Sequence, residues 1–262
     1  KSCLKSSHYH PHDVDGLINN GIYRDGHYAE PAFATFIQKK LGINTEFQGR
    51  STLSFDLQNG GCGMLNGMQV VTELIKTGKV HSGMVLSSES NADRNPDPSY
   101  HYATSGAAVL VDVSPNSYTG FGSFHFKSFP EYIPLYNSFV NLSQKHGRLL
   151  IKQNSELETA FSTCLGIVVQ ELLQKEHLSP NDIDWVIPSQ TSSSFLQLLP
   201  SVLKMETDQI ADHTRNFPDT LTTSIFLAYK TLQDKGHISS GQKILFASVG
   251  SGITAGAAIY YC

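Results

Sequence analysis

Two passages of the chain repeat each other, and this repetition limits the folds open to it more than any other feature. Residues 11–18 read PHDVDGLI and residues 180–187 read PNDIDWVI. Both give Pro-x-Asp, a β-branched residue, Asp, and then an apolar pair, the pattern of a turn feeding a buried strand. A second pair follows in the same order. TELIKTGKVHSGMVLSS (72–88) matches AYKTLQDKGHISSGQKILFAS (228–248) in outline. Each is a helical stretch closed by Gly (Gly78, Gly236), then a Ser-Gly turn, then an apolar strand. Glycine at that point suits the left-handed position after a helix C-terminus. Two echoes in one order point to a duplicated α/β unit.

A chain of 262 residues can hold two such units and bury a core without disulfides. Apolar residues make up 40% and charged residues 16%, so a folded globular chain is expected rather than disorder. The net charge is −4 and no basic run exceeds Lys39-Lys40, which argues against a nucleic-acid surface. No apolar run approaches the ~18 residues of a membrane-crossing helix. Cys3, Cys62, Cys164 and Cys262 lie far apart with no CxxC pair, and no signal peptide is evident, so a reducing, cytoplasmic setting is expected. His8, His10 and His12 alternate in a polar stretch and read as a flexible segment rather than metal ligands. No dinucleotide or P-loop glycine motif occurs.

Periodicity predicts strands at 14–22, 52–57, 82–88, 106–113, 118–127, 184–188, 243–249 and 254–261. It predicts helices at 30–41, 63–77, 155–175, 193–204 and 220–235, with Pro31 in the first turn of the first. This alternation implies a mainly parallel sheet covered on both faces. Residues 128–150 show no period and read as a loop over a pocket.

FDLQNGGCGMLNGMQVV (55–71) places Cys62 between a buried strand and a long helix. The helix terminus favours an anion there, so a thiolate is one reading. Gly60, Gly61 and Gly63 would let a substrate approach, with the Cys62 N–H facing an oxyanion. A buried, inert cysteine at a tight turn is the other reading. In SVGSGITAGAA (248–258), Gly250 and Gly252 either aim the Ser251 N–H into the same site or make a hairpin turn. Cys3, Cys164 and Cys262 read as structural.

DVDGLI, FDLQNGGCGMLNG, SGMVLSSES, SGAAVLVD, NDIDWVIPSQTSSSFLQLLP and ILFASVGSGITAGAAIYY together resemble the thiolase-fold condensing enzymes, in the branch of β-ketoacyl-ACP synthase III. The resemblance implies a duplicated five-layer αβαβα fold, with residues 1–115 and 116–262 as its halves. The first strand, helix and strand of that fold do not appear, and upstream residues are expected to be missing. It also implies a homodimer, or a heterodimer with a paralogue, and an acyl group carried on Cys62 from acyl-CoA or an acyl carrier protein. No cofactor is implied. GIYRDGHYAEPAFATFIQKKLG (21–42) is similar to the matching loop of OleA-type enzymes, which join two long acyl chains. There the Glu of Glu-Pro acts as a base near the neighbour's cysteine; here it is Glu30. A helix N-terminal carboxylate is the alternative reading of Glu30.

The family's catalytic set is Cys, His and Asn. Cys62 is matched to the cysteine, but Ser189 stands in place of the histidine and Asp219 in place of the asparagine. Decarboxylative condensation needs two donors on an enolate oxygen. Ser189 offers one, and an ionised Asp219 offers none. Acyl transfer to a hydroxyl, an amine or water is less demanding, with Asp219 or Glu30 as base. His27, His101 and His213 are weaker candidates for a substitute imidazole. Three functions remain open: an acyltransferase or condensing enzyme, a catalytically degenerate subunit that pairs with an active paralogue, and, ranked below these, a binding module for acyl thioesters without turnover.

Overall fold

The computed structural model describes every residue except 25, 27, 47, 48, 92, 142, 144–146 and 216. In chain order the elements are α1 (Ser2–Lys5), β1 (Gly16–Asn19), α2 (Phe33–Leu41), β2 (Leu53–Asp56), α3 (Gly63–Lys76), β3 (Ser82–Glu89) and β4 (Ser105–Asp112). There follow β5 (Gly120–Ser128), β6 (Tyr136–Asn141), β7 (Arg148–Gln153), α4 (Leu157–Lys175), β8 (Trp185–Pro188), α5 (Ser193–Leu203), α6 (Ser224–Asp234), β9 (Lys243–Gly250) and β10 (Thr254–Tyr261).

The echoes in the sequence become equivalent pieces of two sheets. One sheet runs β2-β1-β3-β4 and the other β5-β10-β9-β8. β1 and β8 are each entered through a single 3-10 turn, Pro11–Asp13 and Pro180–Asp182. In both turns the aspartate accepts the backbone N–H three residues earlier, His10 N to Asp13 at 2.8 Å and Ser179 N to Asp182 at 2.7 Å. β3 lies parallel to β1, and β9 lies parallel to β8. β4 and β10 then return antiparallel along β3 and β9. Gly78 and Gly236 both take positive φ, +69° and +72°, as the helix-ending pattern requires.

The period of two along the strands builds the layers. Ile18 and Val85 face inward to Met64, Leu65, Met68 and Val71 of α3. Phe246 and Ile187 of the other sheet join the same core with Ile225 and Phe226 of α6. α3 and α6 therefore fill the space between the sheets. Leu17, Met84 and Leu86 point the other way, toward Ile37 and Leu41 of α2. Leu245, Ala247 and Val249 point outward under α4 and α5. The result is the five-layer α/β thiolase-like arrangement, helix–sheet–helix–sheet–helix.

Two expectations are corrected. The sheets are mixed, not mainly parallel, because β4, β5 and β10 all run antiparallel to their neighbours. Residues 128–150 are not simply a loop: β6 and β7 pair as an antiparallel hairpin. Alternate residues of β6 are polar or exposed and belong to neither main core, so its apolar pattern is weak. Among the described residues, no helix is long and apolar enough to cross a membrane.

Candidate active site

Loops from both halves converge at the C-terminal ends of β1, β2, β8 and β9, the usual place for ligands in open α/β sheets. They enclose a cavity of about 230 Å³. One wall is glycine backbone, Gly60, Gly61 and Gly250, with Ser251 beside it. Asp219, Leu221 and Thr191 line the cavity as well. Tyr23, Tyr102 and Tyr136, joined through their hydroxyls, also border it, and Leu157 and Phe161 of α4 contribute apolar surface.

Cys62 does not line this cavity. It is fully buried, and its Sγ donates to the Thr254 carbonyl 3.2 Å away, at the start of β10. Burial pushes its thiol up to about 12, against smaller lowering contributions from Ser248 and the Gly256 backbone. Burial thus opposes the thiolate that the helix terminus was expected to favour. The Cys62 N–H is also committed, to the Asn59 carbonyl at 3.1 Å, and the Gly63 N–H goes to Gly60 O at 3.0 Å. A tight turn thus engages the first free donors of α3, the Cys62 N–H among them.

The residue facing the cavity is Gly61. A Cβ placed there would lie 2.3 Å from the Val249 carbonyl oxygen, against backbone rather than a flexible side chain. The end of β9 has closed onto this position. Ser248 reinforces the contact by donating to Gly61 O at 3.0 Å. Gly61→Ala is expected to cost about 1–3 kcal/mol through overpacking, read as a lowered denaturation midpoint. Alkylation of the native protein at pH 8 should modify the partly exposed Cys3 and Cys262 and leave Cys62 untouched, as peptide mass mapping would show.

Ser189 is also withdrawn. It is 3% exposed, accepts the Val249 N–H at 3.1 Å and lies 3.3 Å from Ser248 Oγ. It supports the strand end instead of facing a substrate, and Thr191, two residues on, reaches the cavity in its place. The Thr191 hydroxyl is buried without a hydrogen-bond partner among the described residues. Glu30 is exposed and outside the cavity. His27 lies outside the described residues. His213 is buried away from the site, whereas His101 borders the cavity.

Asp219 and Ser251 do reach the cavity. The Asp219 carboxylate accepts the Leu221 N–H at 2.7 Å, and its backbone carbonyl accepts the Ala103 N–H at 2.8 Å. Leu221 adopts φ +52°, a left-handed turn that this bond holds in place. Burial, with a further push from the nearby Glu89, raises Asp219 to about 7. Glu89 itself is fully buried, takes the Tyr23 N–H at 2.9 Å and bonds the Thr222 hydroxyl. It therefore ties Tyr23 to the turn that carries Asp219. The Tyr136 hydroxyl joins those of Tyr23 (2.6 Å) and Tyr102 (2.9 Å). Only a charge at the end of the buried strand SGMVLSSE gave any sequence signal for Glu89. Tyr23 and Tyr102 sit in separate loops and Tyr136 at the start of β6, and the three gave none. Among the described residues no group of three His, Cys, Asp or Glu side chains could hold a metal.

Residues 173–262 match the family model described as 3-oxoacyl-[acyl-carrier-protein (ACP)] synthase III C terminal. Beta-ketoacyl-[acyl-carrier-protein] synthase III of Rickettsia bellii is 26% identical over 94% of this chain and 77% of its own length. The same-named protein of Histophilus somni is 26% identical over 99% of this chain and 80% of its own. The crystal structure of 3-oxoacyl-[acyl-carrier-protein] synthase III from Aquifex aeolicus superposes with a TM-score of 0.83 at 19% identity, covering 99% of this chain and 80% of that one. Xanthomonas campestris OleA, solved with bound lauric acid and lauroyl-CoA, superposes with a TM-score of 0.84 at 16% identity, covering 98% and 79%. The chain has a thiolase-like fold, and along nearly its whole length it is similar to β-ketoacyl-ACP synthase III proteins.

Proposed function

We propose that this chain is an acyl-thioester-dependent acyltransferase or condensing enzyme of the β-ketoacyl-ACP synthase III type, with its acyl group lying in the cavity between Gly61 and Asp219. The observation that carries this reading is the cavity's construction. Glycine backbone lets a thioester approach one wall, and an uncharged-to-charged switch at Asp219 near neutral pH faces it. The unpartnered Thr191 hydroxyl supplies a further polar contact for a ligand. Acyl-CoA or acyl carrier protein is the donor, and a second subunit, identical or paralogous, is the expected partner. The thioester brings its own activation, so no cofactor is required.

Titration calorimetry with acetyl-, butyryl- and octanoyl-CoA tests this reading. Binding is expected, and Ser138→Trp, which fills the cavity from the β6 hairpin, should weaken it at least tenfold. No binding of any acyl-CoA or acyl carrier protein would remove it.

The burial of Cys62 favours a second reading, a degenerate subunit that lends structure and the exposed Glu30 to an active paralogue. Mixing the chain with a paralogue that has an intact Cys-His-Asn set should then raise the paralogue's condensation rate. Absence of both complex and stimulation would exclude this.

A further inference from the structure

We propose that the acyl chain this cavity selects is short and carries a hydroxyl of its own, recognised by the hydroxyls of Tyr23, Tyr136 and Thr191. This rests on the acyl-thioester reading above and deepens it by naming the class of acyl chain.

Size limits the length of the chain. A volume of about 230 Å³ lies below the ~300–1,000 Å³ of sites that take drug-sized ligands. The tyrosines that border the cavity are packed against one another. The Tyr23 and Tyr102 rings stack with centroids 5.4 Å apart, and the Tyr100 ring stands edge-on to both, at 5.3 and 5.4 Å. Tyr23 is fixed further through its N–H, which donates to Glu89 at 2.9 Å. A long saturated chain would have to push this group apart.

Polarity sets the chemistry. Tyr23, Tyr102 and Tyr136 bring three O–H hydrogens to the cavity. Tyr102 donates to Tyr136 at 2.9 Å, and the Tyr136 and Tyr23 hydroxyls are bonded to each other at 2.6 Å. These two bonds use two hydrogens. The third stays on Tyr23 or on Tyr136, according to the direction of the second bond. Burial raises all three phenols above their ordinary value, so they keep their hydrogens near neutral pH. The Thr191 hydroxyl, which also lines the cavity, is buried without a hydrogen-bond partner among the described residues.

An unsubstituted acyl chain would shut these groups off from water and leave them unpaired, at a cost to binding. A hydroxyl both donates and accepts, so it can take the spare phenol hydrogen and give its own to Thr191. An ammonium only donates and cannot take that hydrogen. A carboxylated chain would meet two carboxyl groups, Glu158 and Asp219, and, among the described residues, no lysine or arginine.

Titration calorimetry on the native protein compares 3-hydroxybutyryl-CoA with butyryl-CoA, which lacks the hydroxyl, and with succinyl- and dodecanoyl-CoA. 3-Hydroxybutyryl-CoA should bind about 5–30-fold tighter than butyryl-CoA, the factor that one or two net hydrogen bonds supply. Succinyl-CoA should bind more weakly than butyryl-CoA, and dodecanoyl-CoA should gain nothing over it. Tyr136→Phe and, separately, Thr191→Val should each bring the ratio of 3-hydroxybutyryl to butyryl affinity toward one. Thr191→Val breaks no hydrogen bond of that hydroxyl among the described residues, so it serves even where the tyrosine variant fails to fold. Equal affinity for the two four-carbon chains, tighter binding of succinyl- or dodecanoyl-CoA than of butyryl-CoA, or variants that weaken both four-carbon chains in proportion would overturn the inference and leave the acyl-thioester reading standing. No binding of any acyl-CoA would remove that reading, and this inference with it.

Discussion

Asp219→Asn should lower kcat by about 10²–10⁴-fold, the usual contribution of a positioned general base. It should leave acyl-CoA affinity within a few-fold of the native value, because the amide keeps the side chain's shape and its oxygen can still accept the Leu221 N–H. The native pH–rate profile should rise through about 7 and level above it, since the base must be ionised to act. The variant should lack that limb. The groups facing Asp219 are Glu89, whose charge raises it, and the Tyr102 and Tyr136 hydroxyls, which burial keeps protonated through this range. Stability should respond in the opposite sense. A carboxyl raised from 3.8 to about 7 binds its proton more tightly in the folded chain than in the unfolded one. Its contribution to stability is therefore present below about pH 4 and is lost as pH rises to about 7. Asp219→Asn removes this loss. The melting temperature of the variant relative to the native protein should climb between pH 5 and pH 8, and equal slopes for the two proteins would contradict the assignment.

Asp56→Ala should be the most destabilising of the substitutions considered, at about 3–5 kcal/mol, the cost of leaving a buried charge unpaired. The Asp56 carboxylate ends β2 and takes four donors at once. They are the Arg24 guanidinium at 2.9 Å, the Phe33 and Ala34 N–H groups at 2.8 Å each, and the Asn19 amide at 3.1 Å. Arg24 and Asp56 are only 8% and 15% exposed, so water cannot replace the lost partner. The helix of residues 33–41 has no side-chain cap of its own, and Asp56 supplies one from across the sheet. Arg24 follows Tyr23 in sequence, so the loss should also loosen the tyrosine side of the cavity. Urea denaturation at pH 7 checks this. Asp56→Asn, which keeps one accepting oxygen, should fall between the native protein and the alanine variant. A midpoint for Asp56→Ala within error of the native one would show that the pair contributes nothing.

The architecture was largely legible because it rests on periodicity. The alternation in β1, β3, β8 and β9, the helical spacing of Met64, Leu65, Met68 and Val71, and the closing glycines Gly78 and Gly236 are local signals that burial then reads out. The β6–β7 hairpin was not legible, because no residue of β6 is buried, although Leu149 and Ile151 of β7 are. Asp219 and Ser251 were found from their places in recognisable motifs, and both line the cavity. Cys62 and Ser189 were drawn from motifs of the same kind, and the structure turns both inward.

The difference between these pairs defines where the sequence stops being informative. Chain order and apolar pattern by themselves determined two repeated α/β units, the glycine-rich junction between a strand and α3, and the loops that must meet above the sheets. Which of two neighbours, Gly61 or Cys62, faces the cavity depends on one backbone turn. That turn is set by the Asn59 and Gly60 carbonyls, by the Val249 carbonyl pressing on Gly61, and by Thr254 accepting the thiol. Val249 and Thr254 come from strands nearly two hundred residues away, so only the packed structure could decide it.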